Sequence, residues 1–332
     1  NNNKKYKDPD FYPQKDIASC DREKLKECDW RYIEEQYPNL FENITPESII
    51  QGNLGDCYFV VALIYASHHK NLVRTLFHPK SSLKYGCVLV YFHYLGEKIP
   101  VIIDTQVAYQ SKFSTNPLFS YPRTKDDSCW FVLVEKAFAK ACGSYSSIVS
   151  GAASFAIHVL FDFYSTSFSK IEDIITVKSL AEEEKRKNSK NTNEKIYNIL
   201  KDLKNKNAMI GTSIPDENID QKIGLIPKHS YYVIDVGKSD DDLFIKLRNP
   251  WGRGEYKGGY CVGSQLWTEK LKHDLNYKDE DDGSFWMNLK NYFYYFKSIS
   301  YSLPKLPNWK ELSVCGEIKG YLYGRTPCVK TP

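Results

Sequence analysis

Position 57 holds a cysteine between a glycine-rich turn and a run of apolar residues. Residues 58–66 have almost no polar face, so they predict a short, fully buried helix that begins near Cys57. Asp56 is a residue type favoured at the helix N-cap. In the first turn of a helix, the dipole and the free N–H groups favour a thiolate over a thiol. The position predicts a reactive nucleophile, although cysteine more commonly serves as a small buried apolar residue.

A thiol nucleophile needs a base, and the base needs a group that orients it. Among the seven histidines, His229 differs because it opens a predicted strand, which is a firm platform for a catalytic side chain. The next predicted strand leads to Asn249, whose amide oxygen can accept a hydrogen bond from imidazole, and Trp251 can keep water from that bond. Considered alone, His229 would be interpreted as a buried core histidine and Asn249-Pro250 as a turn. Together with Gln51, six residues before the cysteine, they predict a Cys-His-Asn site.

The elements that must position these residues change in type along the chain. Helices dominate the predicted elements of the first half and strands those of the second, which predicts a two-lobed α+β chain. A chain of 332 residues is longer than a single hydrophobic core usually supports, which also favours two lobes. We predict strands at 87–92, 99–104, 208–214, 230–236 and 243–248, a helix at 129–140 and a long loop at 105–128.

These elements predict a division of the chain into four parts. The first is an N-terminal flank, because its residues are polar and charged with few periodic apolar positions. Two lobes follow, and the last part is predicted to be a linker or the start of a further domain. The predicted ranges are 1–43 for the flank, 44–163 for the lobe with the nucleophile helix, 164–303 for the β-rich lobe with the histidine and asparagine, and 304–332 for the last part.

Composition narrows the class of protein. The chain has 45 basic and 41 acidic residues, and a net charge of +4 is too balanced to indicate a nucleic-acid or membrane partner. No apolar run is long enough to span a bilayer, and the first residues do not read as a signal peptide. Nine cysteines, an odd number without C-x-x-C spacing, argue against zinc and against a disulfide framework. We therefore expect reduced thiols in an intracellular, cytoplasmic protein.

Three blocks of sequence resemble the catalytic core of calpains, which are papain-like intracellular cysteine proteases. Residues 51–58 match the family pattern Q-G-x-L-G-D-C-W, with Tyr58 in place of Trp. Residues 228–231 match G-H-A-Y, with Lys228 in place of Gly, and residues 248–252 match R-N-P-W-G in full. The resemblance runs from about residue 44 to 301, which is most of the chain.

The resemblance implies a papain-like core with the active-site cleft between a helical first lobe and an antiparallel, β-rich second lobe. It implies an endopeptidase in which Cys57 attacks the scissile carbonyl and His229 protonates the leaving amine. The side-chain amide of Gln51 would bind the oxyanion together with the backbone N–H of Cys57. Because the two lobes supply different parts of the site, closure of the lobes would act as a switch. Protein substrates, flanking regulatory domains and no organic cofactor are implied, and Lys228 predicts an altered specificity.

The resemblance also implies one calcium ion in each lobe. Calcium takes six to eight oxygen ligands, several of them from carboxylates. Both ligand sets are incomplete here, so the resemblance leaves the calcium dependence open, although acids at 279–281 could partly substitute. The residues that match family ligands are Glu135, Glu255 and Asp282, and those that replace expected acids are Ser48, Val262 and Ser284.

Three other functions remain open at this point. A catalytically silent calpain-like scaffold would be expected to lose one of Cys57, His229 and Asn249, and all three are present. An acyltransferase of the transglutaminase kind would carry Asp in the place of Asn249. A binding module without chemistry would not react with a thiol-directed probe at Cys57.

Overall fold

The computed structural model describes residues 4–11, 27–94, 96–176, 192–215, 219–254, 256–279 and 282–305. Within these ranges the chain combines α-helices with antiparallel sheets, which confirms the α+β class. The helices are α1 (Cys57–Ser67), α2 (Lys70–Thr75), α3 (Trp130–Ala141), α4 (Ala153–Phe161), α5 (Thr192–Asn205), α6 (Glu269–Asp274) and α7 (Leu289–Tyr295). The strands are β1 (Asp29–Tyr32), β2 (Ile49–Ile50), β3 (Cys87–Tyr94), β4 (Glu97–Asp104), β5 (Gln106–Tyr109), β6 (Tyr121–Pro122), β7 (Tyr164–Phe168), β8 (Met209–Ile214), β9 (His229–Ser239), β10 (Asp242–Arg248), β11 (Ser284–Asn288) and β12 (Ser298–Leu303).

Helix α1 lies at the centre of the first hydrophobic core. Every residue from Tyr58 to Ser67 is buried, as its apolar sequence predicts. The helix packs against α4 on one side and against β9 on another. The ring of Phe59 stacks on Phe138 of α3 with centroids 4.3 Å apart. No helix in the described ranges is long and apolar enough to cross a bilayer.

The second core is built on a six-stranded antiparallel sheet with the order β11-β10-β9-β8-β12-β7. Helix α5 covers it with an apolar stripe at Ile196, Ile199, Leu200 and Leu203, all of them buried. Strands β9 and β10 are antiparallel neighbours, so the first residue of β9 and the last residue of β10 lie at the same end of the sheet. His229 lies at this end, and Asn249 directly follows the last residue of β10.

One expectation about an irregular segment was wrong. The predicted loop at 105–128 contains β5 and β6, because each finds an antiparallel partner, β1 and β2 respectively. Within the segment 1–43, Ile33 and Tyr37 belong to the first core, and strand β1 pairs with β5. The four-part division itself stays a prediction, and 306–332 lies outside the described residues.

Candidate active site

Cys57 is the first residue of α1, as predicted, but the reactivity expected from a helix start is not found. Burial raises the pKa of the Cys57 thiol above its ordinary value. The backbone N–H and the hydroxyl of Ser230 contact the sulfur and lower the same pKa, without outweighing the burial. Ser230 was missed in the sequence, where its place beside His229 was the available signal. A backbone hydrogen bond with Tyr58 of the same helix acts in the same direction as Ser230, so burial alone accounts for most of the raised pKa.

Asp56 occupies the N-cap position of α1, but its side chain makes no capping hydrogen bond. Its carboxyl group is fully buried and interacts with the carboxyl of Glu135, which also accepts the N–H of Ser120 at 3.1 Å. Burial raises the pKa of Asp56 to about 7, and burial together with the charge of Asp56 raises the pKa of Glu135 well above its ordinary value. The predicted capping role was wrong, because the Asp56 side chain turns inward to Glu135.

The histidine is held in one tautomer by the asparagine. His229 Nε2 lies 2.9 Å from Asn249 Oδ1. The amide orientation is fixed from both ends, because Oδ1 also accepts the N–H of Trp251 at 3.0 Å and Nδ2 donates to the carbonyl of Arg253 at 3.0 Å. Since Oδ1 can only accept, Nε2 must carry a proton. The lone pair of a neutral imidazole is then left on Nδ1.

Trp251 encloses this hydrogen bond. Its ring centroid lies 5.1 Å from that of His229, and only 5% of His229 and none of Asn249 is exposed. Burial lowers the pKa of His229 to about 4, while the hydrogen bond to Asn249 acts in the opposite direction. At neutral pH the imidazole is therefore neutral and able to accept a proton.

One cleft of about 790 Å³ brings the predicted residues together. Cys57 and Gln51 lie along its first wall, and His229 and Trp251 lie along the other. The first wall is tightly packed, because a Cβ atom added to Gly52 would lie 1.8 Å from the carbonyl oxygen of Phe119. No other residue type fits there without moving the wall.

Direct hydrogen bonds join the two walls behind the cleft. The N–H of Gln51 donates to the carbonyl of Pro250 at 3.0 Å. Arg123 donates through Nε to the carbonyl of Glu47 at 2.9 Å and through Nη2 to the carbonyl of Gly252 at 2.8 Å. The segment after Asn249 is thus tied to the segment around Gln51 by contacts within the protein.

Gly252 stands at this junction with a positive φ of 62°. A Cβ atom added there would lie 2.3 Å from Ile50 Cδ1 and 2.7 Å from Arg123 Nη2. The positive φ therefore favours glycine here, and any side chain would also have to displace the ends of Ile50 and Arg123.

A model of the calpain family of cysteine proteases matches residues 6–302, which is nearly the whole chain. The chain belongs to the calpain family. Three relatives show how much of a calpain this chain represents. The calpain-type cysteine protease DEK1 of Arabidopsis thaliana is 28% identical over 86% of this chain, which covers 13% of the relative. Calpain-5 of Caenorhabditis elegans is 28% identical over 79% of this chain and 44% of the relative. Calpain-14 of Homo sapiens is 29% identical over 75% of this chain and 34% of the relative. The chain therefore spans less than half the length of these calpains.

The side-chain amide of Gln51, predicted to bind the oxyanion, already makes hydrogen-bond contacts within the protein. Its Nε2 donates to the carbonyl of Leu54 at 2.8 Å and lies 3.5 Å from Asp56 Oδ1. The side chain is nearly buried, and its Oε1 has no hydrogen-bond partner. One amide hydrogen is engaged by Leu54, and only the one near Asp56 is weakly held. An oxyanion role would use that second hydrogen.

The described residues that calpain calcium sites would use already have contacts within the protein. In the first set, the hydroxyl of Ser48 donates to the carbonyl of Thr45 at 2.7 Å, and Glu135 is occupied by Ser120 and Asp56.

The second set is described only in part. Asp282 Oδ1 accepts the N–H of Ser284 at 2.8 Å, and Oδ2 lies 3.4 Å from Arg248 Nη1. Glu255 lies outside the described residues. Within the described ranges, no group of three or more His, Cys, Asp or Glu side chains could hold a metal ion.

Proposed function

We propose that this chain is the catalytic core of a cysteine endopeptidase that hydrolyses peptide bonds with Cys57, His229 and Asn249. The observation that carries the proposal is the hydrogen bond between His229 Nε2 and Asn249 Oδ1, in a cleft that Cys57 also lines. That bond leaves Nδ1 of the imidazole free to accept a proton, which is the role a thiol protease needs from its histidine.

The proposed reaction starts from neutral groups. Burial raises the pKa of Cys57 and lowers that of His229, so the thiol keeps its proton and Nδ1 of the imidazole carries none before substrate binds. As the sulfur attacks the scissile carbonyl, its proton passes to His229. The imidazolium then gives that proton to the leaving amine, and water hydrolyses the acyl-enzyme with His229 as the base. The contacts of Ser230 with the sulfur favour the thiolate as it forms.

The negative charge that develops on the carbonyl oxygen needs donors. In the proposed site these are the backbone N–H of Cys57 and the second amide hydrogen of Gln51, which turns from Asp56 to the substrate. A donor of this kind contributes about 3 kcal/mol to transition-state stabilisation.

We further propose that the lobes close through contacts within the protein and that calcium is not required. The hydrogen bonds from Gln51 to Pro250 and from Arg123 to Gly252 support this, as do the contacts that already engage Glu135 and Asp282. In the full-length protein we propose a cytoplasmic enzyme with protein substrates and flanking regulatory domains.

The test is cleavage of casein and of a quenched fluorescent peptide at neutral pH in reductant, with millimolar calcium and with chelator. Cys57→Ala removes the nucleophile, and Cys142→Ala is the matched control because Cys142 is an exposed free cysteine outside the cleft. A peptidyl fluoromethyl ketone should label the parent and the Cys142→Ala protein, but not the Cys57→Ala protein.

Equal cleavage in calcium and chelator, lost only in Cys57→Ala, would support both parts of the proposal. Cleavage in calcium alone would contradict closure without calcium and leave the endopeptidase intact. A folded protein that neither cleaves nor becomes labelled would instead be a silent scaffold. Amine incorporation into a glutamine peptide, without hydrolysis, would indicate an acyltransferase.

A further inference from the structure

A short segment of the cleft lining presents hydrogen-bond donors that the protein does not use. Residues 114–116 lie between β5 and β6, and all three line the cleft. The backbone N–H groups of Thr115 and Asn116 donate to no described residue, and neither does Nδ2 of the Asn116 side chain. Both residues are exposed, so a molecule in the cleft can reach them.

The carbonyl groups of the same segment are engaged by the protein. Arg31 of β1 donates through Nη2 to the carbonyl of Ser114 at 2.7 Å, and its guanidinium lies 3.6 Å from the ring centroid of Tyr109. Gln36 donates through Nε2 to the carbonyl of Thr115. These contacts hold the segment in place before a ligand arrives, which reduces the entropy that binding would cost.

The side-chain amide of Asn116 is held at its oxygen. The hydroxyl of Tyr37, which is buried in the first core, donates to Oδ1 of Asn116 at 3.0 Å. With Oδ1 engaged in this way, the amide offers the two hydrogens of Nδ2 to a partner. The amide therefore faces a ligand as a donor.

These donors lie near the residues proposed to bind the oxyanion. The N–H of Asn53, two residues after Gln51, donates to the carbonyl of Leu118 at 2.9 Å, which joins the segment to the first wall of the cleft. A peptide whose scissile carbonyl lies at Gln51 therefore passes Asn116 in the same cleft. Every residue of an extended peptide carries a carbonyl acceptor, so donors on a cleft wall can pair with its main chain.

We infer that Asn116 binds a main-chain carbonyl of the substrate and that Tyr37 positions its amide for this contact. The inference rests on the proposed peptidase function, because that function makes an extended peptide the ligand of the cleft. The contact is present in both the bound substrate and the transition state. Its loss should therefore raise KM and leave kcat nearly unchanged.

The experiment measures binding of a fluorescein-labelled casein peptide to the Cys57→Ala protein, and its cleavage by the protein that keeps Cys57. Asn116→Ala removes the donor, whereas Asn116→Asp removes the donor and keeps an oxygen for Tyr37. In both variants we expect Kd and KM to rise about three- to tenfold, the range for one neutral hydrogen bond. Asn39→Ala is the matched control, because Asn39 also uses its amide in a hydrogen bond but lies outside the cleft.

Two further measurements separate a direct contact from a general change in the cleft wall. Tyr37→Phe should raise Kd by less than Asn116→Ala does, and should have no effect when Asn116 is already alanine. Peptides shortened by one residue at a time from either end should lose their dependence on Asn116 at a single step, where the bound carbonyl is removed. A defect that is the same for every peptide length would contradict the direct contact.

The outcomes distinguish this inference from the proposed function. Binding that depends on Asn116, in a protein that cleaves no peptide, would support the inference and contradict only the peptidase proposal. Cleavage with unchanged Kd and KM in both Asn116 variants would overturn the inference and leave the peptidase proposal standing. A protein that binds none of the peptides would contradict both.

Discussion

Cys57 begins a helix whose following residues are all buried, whereas His229 and Asn249 lie at one end of two interior strands of a sheet and are joined by a hydrogen bond. The helical half gives the sulfur a rigid position but a raised pKa. The β-rich half contributes the hydrogen-bonded pair His229 and Asn249 and the Ser230 contacts to the sulfur. In the proposed mechanism, the nucleophile and the base that activates it thus come from different halves of the chain.

Removal of the base should have the largest effect and tests the dependence of one half on the other. We expect His229→Ala to lower kcat/KM by about 10³-fold, within the range for general acid–base catalysis. His273→Ala is the control, because that side chain is 91% exposed. Peptide cleavage by the two variants tests the proposed role of His229 as the base. More than a tenth of the parent activity in His229→Ala would contradict that role.

The contribution of the helical half to the transition state is tested at Gln51. Gln51→Ala should lower kcat by about 10²-fold with little change in KM, as expected for a donor used only in the transition state. Gln110→Ala is the matched control, since it also lines the cleft. If both variants lose activity equally, Gln51 is not the oxyanion donor.

The junction between the halves is tested at Arg123. Arg123→Ala removes two hydrogen bonds to carbonyls, which together contribute about 2 kcal/mol to the closed arrangement. We expect about a tenfold loss of activity and a midpoint of thermal unfolding close to that of the exposed control Lys125→Ala. Full activity in Arg123→Ala would show that this contact does not hold the halves together.

The smallest effect at neutral pH is expected at Trp251. Burial lowers the pKa of His229 to about 4, so the acid limb of kcat/KM against pH should fall near pH 4, where the base becomes protonated. Trp251→Ala exposes the imidazole, and its pKa should rise toward the ordinary value of 6.5. The acid limb then moves to higher pH, while Trp251→Phe should hold it near the parent position. An unmoved limb in Trp251→Ala would mean that another group controls it.

The nucleophile helix and the strand ends near His229 and Asn249 could be predicted from the sequence because both depend on local patterns. An apolar run after Asp-Cys predicts a buried helix, and His229 and Asn249 lie near the adjacent ends of neighbouring predicted strands. The α+β class followed from the same patterns.

Contacts between distant residues could not be read in this way. The Asp56 side chain turned from its predicted capping role to Glu135, and burial reversed the expected lowering of the Cys57 pKa. The short strands β5 and β6 carry too few residues for a visible alternation, and only their partners reveal them. The bridge from Arg123 to Gly252 left no local signal at all.

Gly252 has a consequence for how activity could be graded. An added methyl group there would lie only 2.3 Å from Ile50 and 2.7 Å from Arg123, so the junction is closely packed and partly closed forms would gain less of its stabilisation. Under the proposed closure, a regulator would change how many molecules are active and leave the turnover of each active molecule unchanged. Single molecules should then show bursts of cleavage at one rate, separated by silent intervals whose length the regulator sets.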